Sequence, residues 1–308
     1  MSRGADGDRP DVSVIVPTYQ RARLLPAAIA AWRAVVPASV GAEVVVVDDG
    51  STDDTPAVLA ALDRPDEPVP LRVIRQANGG LASARNRGLD AARGRLLVFA
   101  DDDMAPRAPD FLSRHLAAQA AAPGAWVSRL IVPDGCVATP FQAYWRRRLE
   151  AGTAHLGEGA ALGKGGFWFA TLSLPRELLA GERFDAAFTG YGWEEHELGY
   201  RLHRRGVRAR FLRGAEIEHR DAVDFDSMRE KYRRMGRAAW TFARLHPVPE
   251  VALWTGTHPV SLALRRLARH EARAARLLAG RGTAALTDAQ YALCLEAAYG
   301  RGLREGRP

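Results

Sequence analysis

The chain is nearly without lysine: of 43 basic residues only Lys164 and Lys231 are not arginine. The formal charge of +7 therefore belongs to an arginine- and alanine-rich composition, not to a basic stripe built for nucleic acid, and nucleic acid is excluded as a partner. A weak association with an anionic membrane surface fits better, because the basic excess thickens towards the C-terminal end. Cysteine is scarce too. Cys136 and Cys294 lie far apart with no metal-type spacing, which excludes a disulfide framework and points to a reducing, cytoplasmic setting. No run approaches the roughly 20 apolar residues that a membrane-spanning helix needs. Residues 1–10 are polar, so no secretory signal is expected there. Also missing is a glycine-rich phosphate loop. The first apolar run ends in Pro17-Thr18-Tyr19-Gln20-Arg21-Ala22-Arg23, where a dinucleotide-binding fold would carry G-x-G-x-x-G.

What is present suits a globular protein of one elaborated or two modest domains: 308 residues, 47% hydrophobic and 26% charged. Residues 12–16, 44–47, 71–74 and 96–99 are short, continuous apolar runs, the pattern of parallel strands covered on both faces. Between them residues 24–35, 55–62 and 82–92 carry helical patterns. This βαβ series predicts an α/β fold, a doubly wound, mostly parallel sheet whose ligand lies beyond the carboxyl ends of its strands. Further strands are expected at 126–132, 167–174 and 207–212, and a helix at 194–204 stopping at Gly206. Residues 133–166 read as irregular. Beyond Phe225 helix formers dominate, broken near 246–249 and 257–259, which predicts a C-terminal helical appendage. Arg229, Lys231, Arg233, Arg234 and Arg237 fall just past the core, and these helices are expected to be dispensable for donor binding.

Three polar clusters fall at the ends of predicted strands: Pro17-Thr18-Tyr19, then Asp48-Asp49-Gly50-Ser51-Thr52-Asp53, then Asp101-Asp102-Asp103. One acidic turn after a strand is commonplace, but three in one β/α series converge on one crevice. If that crevice takes a diphosphate, something other than a glycine loop must neutralise it. Asp101 and Asp103 suit a hard divalent cation bridging carboxylate and phosphate oxygens.

These residues resemble glycosyltransferase family 2. The resemblance is carried by Ser13-Val14-Ile15-Val16-Pro17-Thr18-Tyr19, Val47-Asp48-Asp49-Gly50-Ser51-Thr52-Asp53, Asn78-Gly79-Gly80, Ala84-Arg85-Asn86-Arg87-Gly88 and Asp101-Asp102-Asp103. It continues through Gly190-Tyr191-Gly192-Trp193-Glu194-Glu195 and Leu198-Gly199-Tyr200-Arg201-Leu202, and spans residues 11–219. It implies a GT-A fold and an inverting enzyme that uses a nucleotide-sugar with magnesium or manganese. UDP- or dTDP-sugars are favoured, with a glycan, small-molecule or peptide acceptor. The implied organisation is a GT-A domain at 11–224, divided into a nucleotide-sugar half at 11–105 and an acceptor half at 106–224, followed by helices at 225–308.

Carried over by residue, the resemblance has Pro17 and Tyr19 lining the base, Asp49 accepting from its polar edge, and Arg85 flanking the donor. Asp101 contacts ribose and Asp102 is the middle residue of the D-x-D motif. Asp103 is the direct metal ligand, assisted by Asp101 and by His219 at the end of a strand. Glu195 is the base and Glu194 binds acceptor, in a motif where Glu-Asp is commoner. Acids in a helix's first turn also complement its dipole without any chemistry. His196-Glu197 begins a zinc-protease H-E-x-x-H motif, but Tyr200 stands where its second histidine belongs. Two alternatives stay open: a synthase loading polyprenyl phosphate at a membrane, and a non-catalytic nucleotide-sugar-binding module.

Overall fold

The structure, a computed structural model, describes residues 9–281 and 286–308. Its first hundred residues follow the predicted alternation. β1 (Val12–Thr18), α1 (Leu25–Ala34), β2 (Ala42–Asp48), α2 (Thr55–Leu62), β3 (Leu71–Arg75), α3 (Leu81–Ala91) and β4 (Leu96–Ala100) succeed one another. β1 pairs in parallel with β2 and β4, and β2 with β3. All residues of β1, β2 and β4 are buried, which is why these runs lack polar alternation. Successive side chains still part to opposite faces. Ile15, Val45, Leu97 and Phe99 enter one apolar layer, whereas Val14, Val16, Val44, Val46 and Val98 enter the other.

The sheet then turns mixed. β5 (Met104–Pro106), α4 (Phe111–Ala121), β6 (Ala125–Ile131), α5 (Pro140–Thr153), β7 (Ala161–Leu162), β8 (Thr171–Pro175), α6 (Arg176–Leu179), α7 (Glu194–Arg204) and β9 (Ala209–His219) follow. β8 lies antiparallel between β4 and β6, and β9 runs parallel to β6. Among the described residues the sheet has nine strands, in the order β3-β2-β1-β4-β8-β6-β9-β5 with β7 on β9. At its centre His115 sits buried between Ser173 Oγ (2.8 Å) and Ser128 Oγ (2.9 Å), and burial pushes its pKa down to about 3, so it is a neutral tie between strands.

Three expectations need correction. The stretch 133–166 is not irregular: Thr139 caps a 14-residue helix, α5, with Gln142 closing the capping box. The strand expected at 167–174 begins at Thr171, and the strand expected at 207–212 runs on to His219.

After β9 the chain is helical: α8 (Phe225–Leu245), α9 (Pro249–Thr255), α10 (Pro259–Ala268), α11 (His270–Arg281) and α12 (Asp288–Glu305). These helices share the main core, since Phe242, Val251, Tyr299 and Leu303 join the layer of Phe99 and Leu198. α8 and α12 touch backbone to backbone. A Cβ on Gly302 would lie 1.9 Å from the Arg233 carbonyl oxygen, and one on Gly236 would lie 2.2 Å from that of Tyr299. Only glycine fits at this crossing. No helix among the described residues is long and apolar enough to cross a membrane.

Candidate active site

A cleft of about 520 Å³ opens at the carboxyl ends of β1, β2 and β4, where this sheet architecture places its ligands. All the sequence-predicted site residues, Pro17, Tyr19, Asp49, Arg85, Asp101, Asp102, Asp103, Glu194, Glu195 and His219, line it together. Six of the lining residues are carboxylates and four are permanent cations, Arg21, Arg85, Lys231 and Arg234.

Asp49 ends β2's acidic turn and builds the wall. Its Oδ1 accepts from Gln76 Nε2 (2.7 Å) and Gly79 N (2.9 Å), and its Oδ2 from Gly80 N (2.8 Å). One acceptor position remains on Oδ2. Tyr19 stands nearly half exposed at the rim.

The three aspartates after β4 have three different environments. Asp101 Oδ1 accepts from Arg85 Nη2 at 2.9 Å. Asp102 is buried, accepts from Thr18 Oγ1 at 2.7 Å and lies 3.8 Å from Arg21, and burial pushes its carboxyl up to about 7. Asp103 faces His219, whose Nε2 is 3.6 Å from its Oδ2. Strand register brings these two together, because Met104 of β5 pairs with His219 of β9. Burial raises the Asp103 carboxyl despite that neighbour. Among the described residues no hydrogen bond meets Asp103 Oδ1 or His219 Nδ1, both buried.

Arg85, on α3, is the buried hub. Besides Asp101 it faces Glu194 Oε1 (3.4 Å) and Glu195 Oε2 (3.8 Å), with its guanidinium 5.5 Å from the centre of the Phe184 ring. The turn into α7 aims both glutamates: Gly192 has φ +104° and Trp193 φ +70°. Glu194 Oε2 accepts from Gly192 N at 2.9 Å, so this carboxylate, 3% exposed, is occupied by the turn and by Arg85. Glu195 is 23% exposed and lines the cleft, and burial pushes its pKa up to about 7 against the pull of Arg85.

Sequence reasoning missed one wall. Lys231, Arg234 and Met235 of α8 line the cleft, with Lys231 Nζ 5.5 Å from the centre of the Tyr191 ring. A Cβ on Gly192 would lie 2.4 Å from Met235 Cγ, so glycine serves both the turn and the approach of α8. The helices beyond Phe225, expected to be dispensable for donor binding, thus contribute α8 to the lining of the cleft. Of the aromatic side chains between residues 141 and 193, Phe141, Tyr144, Phe167 and Phe169 are core, and Tyr191 and Trp193 reach the cleft. The only sequence signal for the missed wall was Lys231 itself, one of two lysines in a chain that otherwise uses arginine.

Comparison with known proteins agrees with this geometry. Residues 13–168, half the chain, match Glycosyl transferase family 2. The chain is 32% identical over 234 residues to the validoxylamine A glucosyltransferase of Streptomyces hygroscopicus subsp. jinggangensis, covering 66% of this chain and 54% of that one. It thus spans about half the length of the curated relative it matches. Its fold resembles the mannosyltransferase PcManGT from Pyrobaculum calidifontis, solved with GDP-Man and Mn2+ (TM-score 0.66, 21% identity, 97% of this chain and 87% of the other). It also resembles S. aureus TarS 1–349 in complex with UDP (TM-score 0.53, 19% identity, 74% and 65%). With an acidic cleft at the strand ends of a mixed, mostly parallel sheet, and with that match across half its length, the chain belongs to glycosyltransferase family 2 and has the GT-A fold.

Proposed function

We propose that the enzyme moves a sugar from a nucleoside-diphosphate donor to an acceptor hydroxyl with inversion, and that Glu195 takes the hydroxyl's proton. The observation that carries this is the contrast between the paired glutamates. Glu194 is spent on Gly192 and Arg85, while Glu195 reaches the cleft with a carboxyl raised to about 7, poised for proton transfer near neutral pH. Glu194 then acts on the acceptor through the turn it holds.

Pro17 and Tyr19 flank the base, and the remaining lone pair of Asp49 accepts from the N3–H of a uracil or thymine. Asp101, held by Arg85, faces the ribose. Lys231 and Arg234 lie over the diphosphate and offset part of its charge. A diphosphate in this cleft would lie among the carboxylates of Asp101, Asp102 and Asp103, which supports a divalent cation as part of the bound state. The unpartnered Asp103 Oδ1 and the neighbouring His219 imidazole would hold a manganese or magnesium ion. When bound, such an ion stabilises charge on the departing diphosphate. The GDP-Man and Mn2+ of the PcManGT complex and the UDP of the TarS complex support both parts.

The test is proton NMR of the first-formed sugar product with UDP-α-glucose, UDP-α-N-acetylglucosamine and dTDP-α-glucose as donors, in manganese and in EDTA. A β product that requires the cation is expected, and an α product overturns the inverting assignment.

A further inference from the structure

We propose that the outer face of α10 docks the enzyme on an anionic lipid surface. His258 caps this helix, its Nδ1 accepting from Val260 N. Its inner side is fixed: Leu262 packs on the main core, and Arg265 lies over the Tyr299 ring and pairs with Glu296 at 2.8 Å. That leaves Val260, Leu264 and Leu267 on the opposite side, 56%, 61% and 78% exposed. Their spacing of four and three puts them on one stripe of the helix. None of the ten residues of α10 is buried.

An apolar stripe alone names no partner; the charge of the segment that carries it does. Arg266 lies on α10, Arg269 directly after it, and Arg273 and Arg276 on α11, none paired with a carboxylate among the described residues. From Pro259 to Arg281 the only acid is Glu271, and it is held by Arg304. A short helix with leucines on its open side, in a segment whose Arg269, Arg273 and Arg276 are exposed, has the build of an interfacial helix, which sinks its apolar stripe between headgroups while the guanidinium groups meet lipid phosphate. A partner protein with an apolar groove would not require a segment of one charge sign, and a second copy of the chain would bring the same arginines face to face. The inference is independent of which residue is the base.

The experiment is flotation of the full chain with vesicles of phosphatidylcholine alone and of phosphatidylcholine mixed with phosphatidylglycerol, for wild type and for Leu264→Asp/Leu267→Asp. Both positions are exposed, so melting temperature and UDP binding should match wild type and show that the variant is folded. Expected are binding to the mixed vesicles only, weakening as salt is raised, and a loss of about tenfold or more in the variant. Equal binding to both vesicle types, no binding, or unchanged binding of the variant overturns the proposal. So does light scattering that finds a wild-type dimer which the variant dissociates, because the stripe would then be a contact between copies.

Discussion

Arg85 Nη1 lies 3.8 Å from Glu195 Oε2, near enough to moderate the cost of a buried carboxylate yet beyond hydrogen-bond reach. The glutamate keeps its basicity because the guanidinium is committed elsewhere, at 2.9 Å to Asp101. Glu195→Gln is therefore expected to lower turnover by about 10²–10⁴-fold with nucleotide affinity nearly unchanged. In wild type, kcat/KM should fall by about tenfold per pH unit below the raised pKa of about 7, as the base becomes protonated. Steady-state rates across pH, with calorimetry for UDP, check both.

The same group weakens the fold. A carboxyl whose pKa is raised on folding binds its proton more tightly in the folded state. Its charging therefore subtracts stability as pH climbs from the ordinary glutamate range to about 7. Glu195→Gln should melt above wild type at pH 8 and converge with it below pH 4.5 or thereabouts. Thermal unfolding at several pH values decides the sign.

Removing Arg85 should be severe. Arg85→Met would leave Asp101, Glu194 and Glu195 facing one another without their shared cation, a change expected to cost about 3–5 kcal/mol. Arg85→Lys should recover only part, since an ammonium is a point charge and cannot reach carboxylates on two sides as a planar guanidinium does. Urea midpoints at constant slope provide the measurement.

Lys231→Ala is expected to weaken UDP binding by roughly 10–100-fold, the range for a charge-assisted contact worth about 1.5–3 kcal/mol. Arg237→Ala, whose guanidinium is engaged by Glu305 away from the cleft, should leave affinity unchanged. Calorimetry on the two variants separates a cleft lysine from general basic character.

Asp103→Asn should lose the manganese-dependent part of UDP affinity and keep the part seen in EDTA. His219→Ala should weaken it by less, since the carboxylate is the harder ligand. Titration of UDP with and without manganese distinguishes the two.

How much of this could be read from residues alone varied along the chain for physical reasons. β1, β2 and β4 were plain because both of their faces are covered, and α7 matched its expected limits because its acids begin it and Gly206 ends it. α5 escaped notice because its apolar residues, Phe141 and Tyr144, face partners as distant as Phe225 and Tyr291, and their spacing shows little beside three consecutive arginines. β9 looked short because its second half alternates buried and half-exposed residues around Arg213 and Glu216. The acidic floor of the cleft lay in local motifs. Its cationic wall did not, since which side of α8 meets the site depends on Gly236 and Gly302, far apart in the chain.

That glycine crossing also sets an order of assembly. Lys231 is two residues from Arg233, whose carbonyl oxygen seats against Gly302 near the end of α12. On a ribosome the strands beneath the cleft emerge early, but α8 gains its glycine crossing only once α12 has been made. The cationic wall that Lys231 brings to the cleft is therefore expected to be the last part of the site to be completed during synthesis.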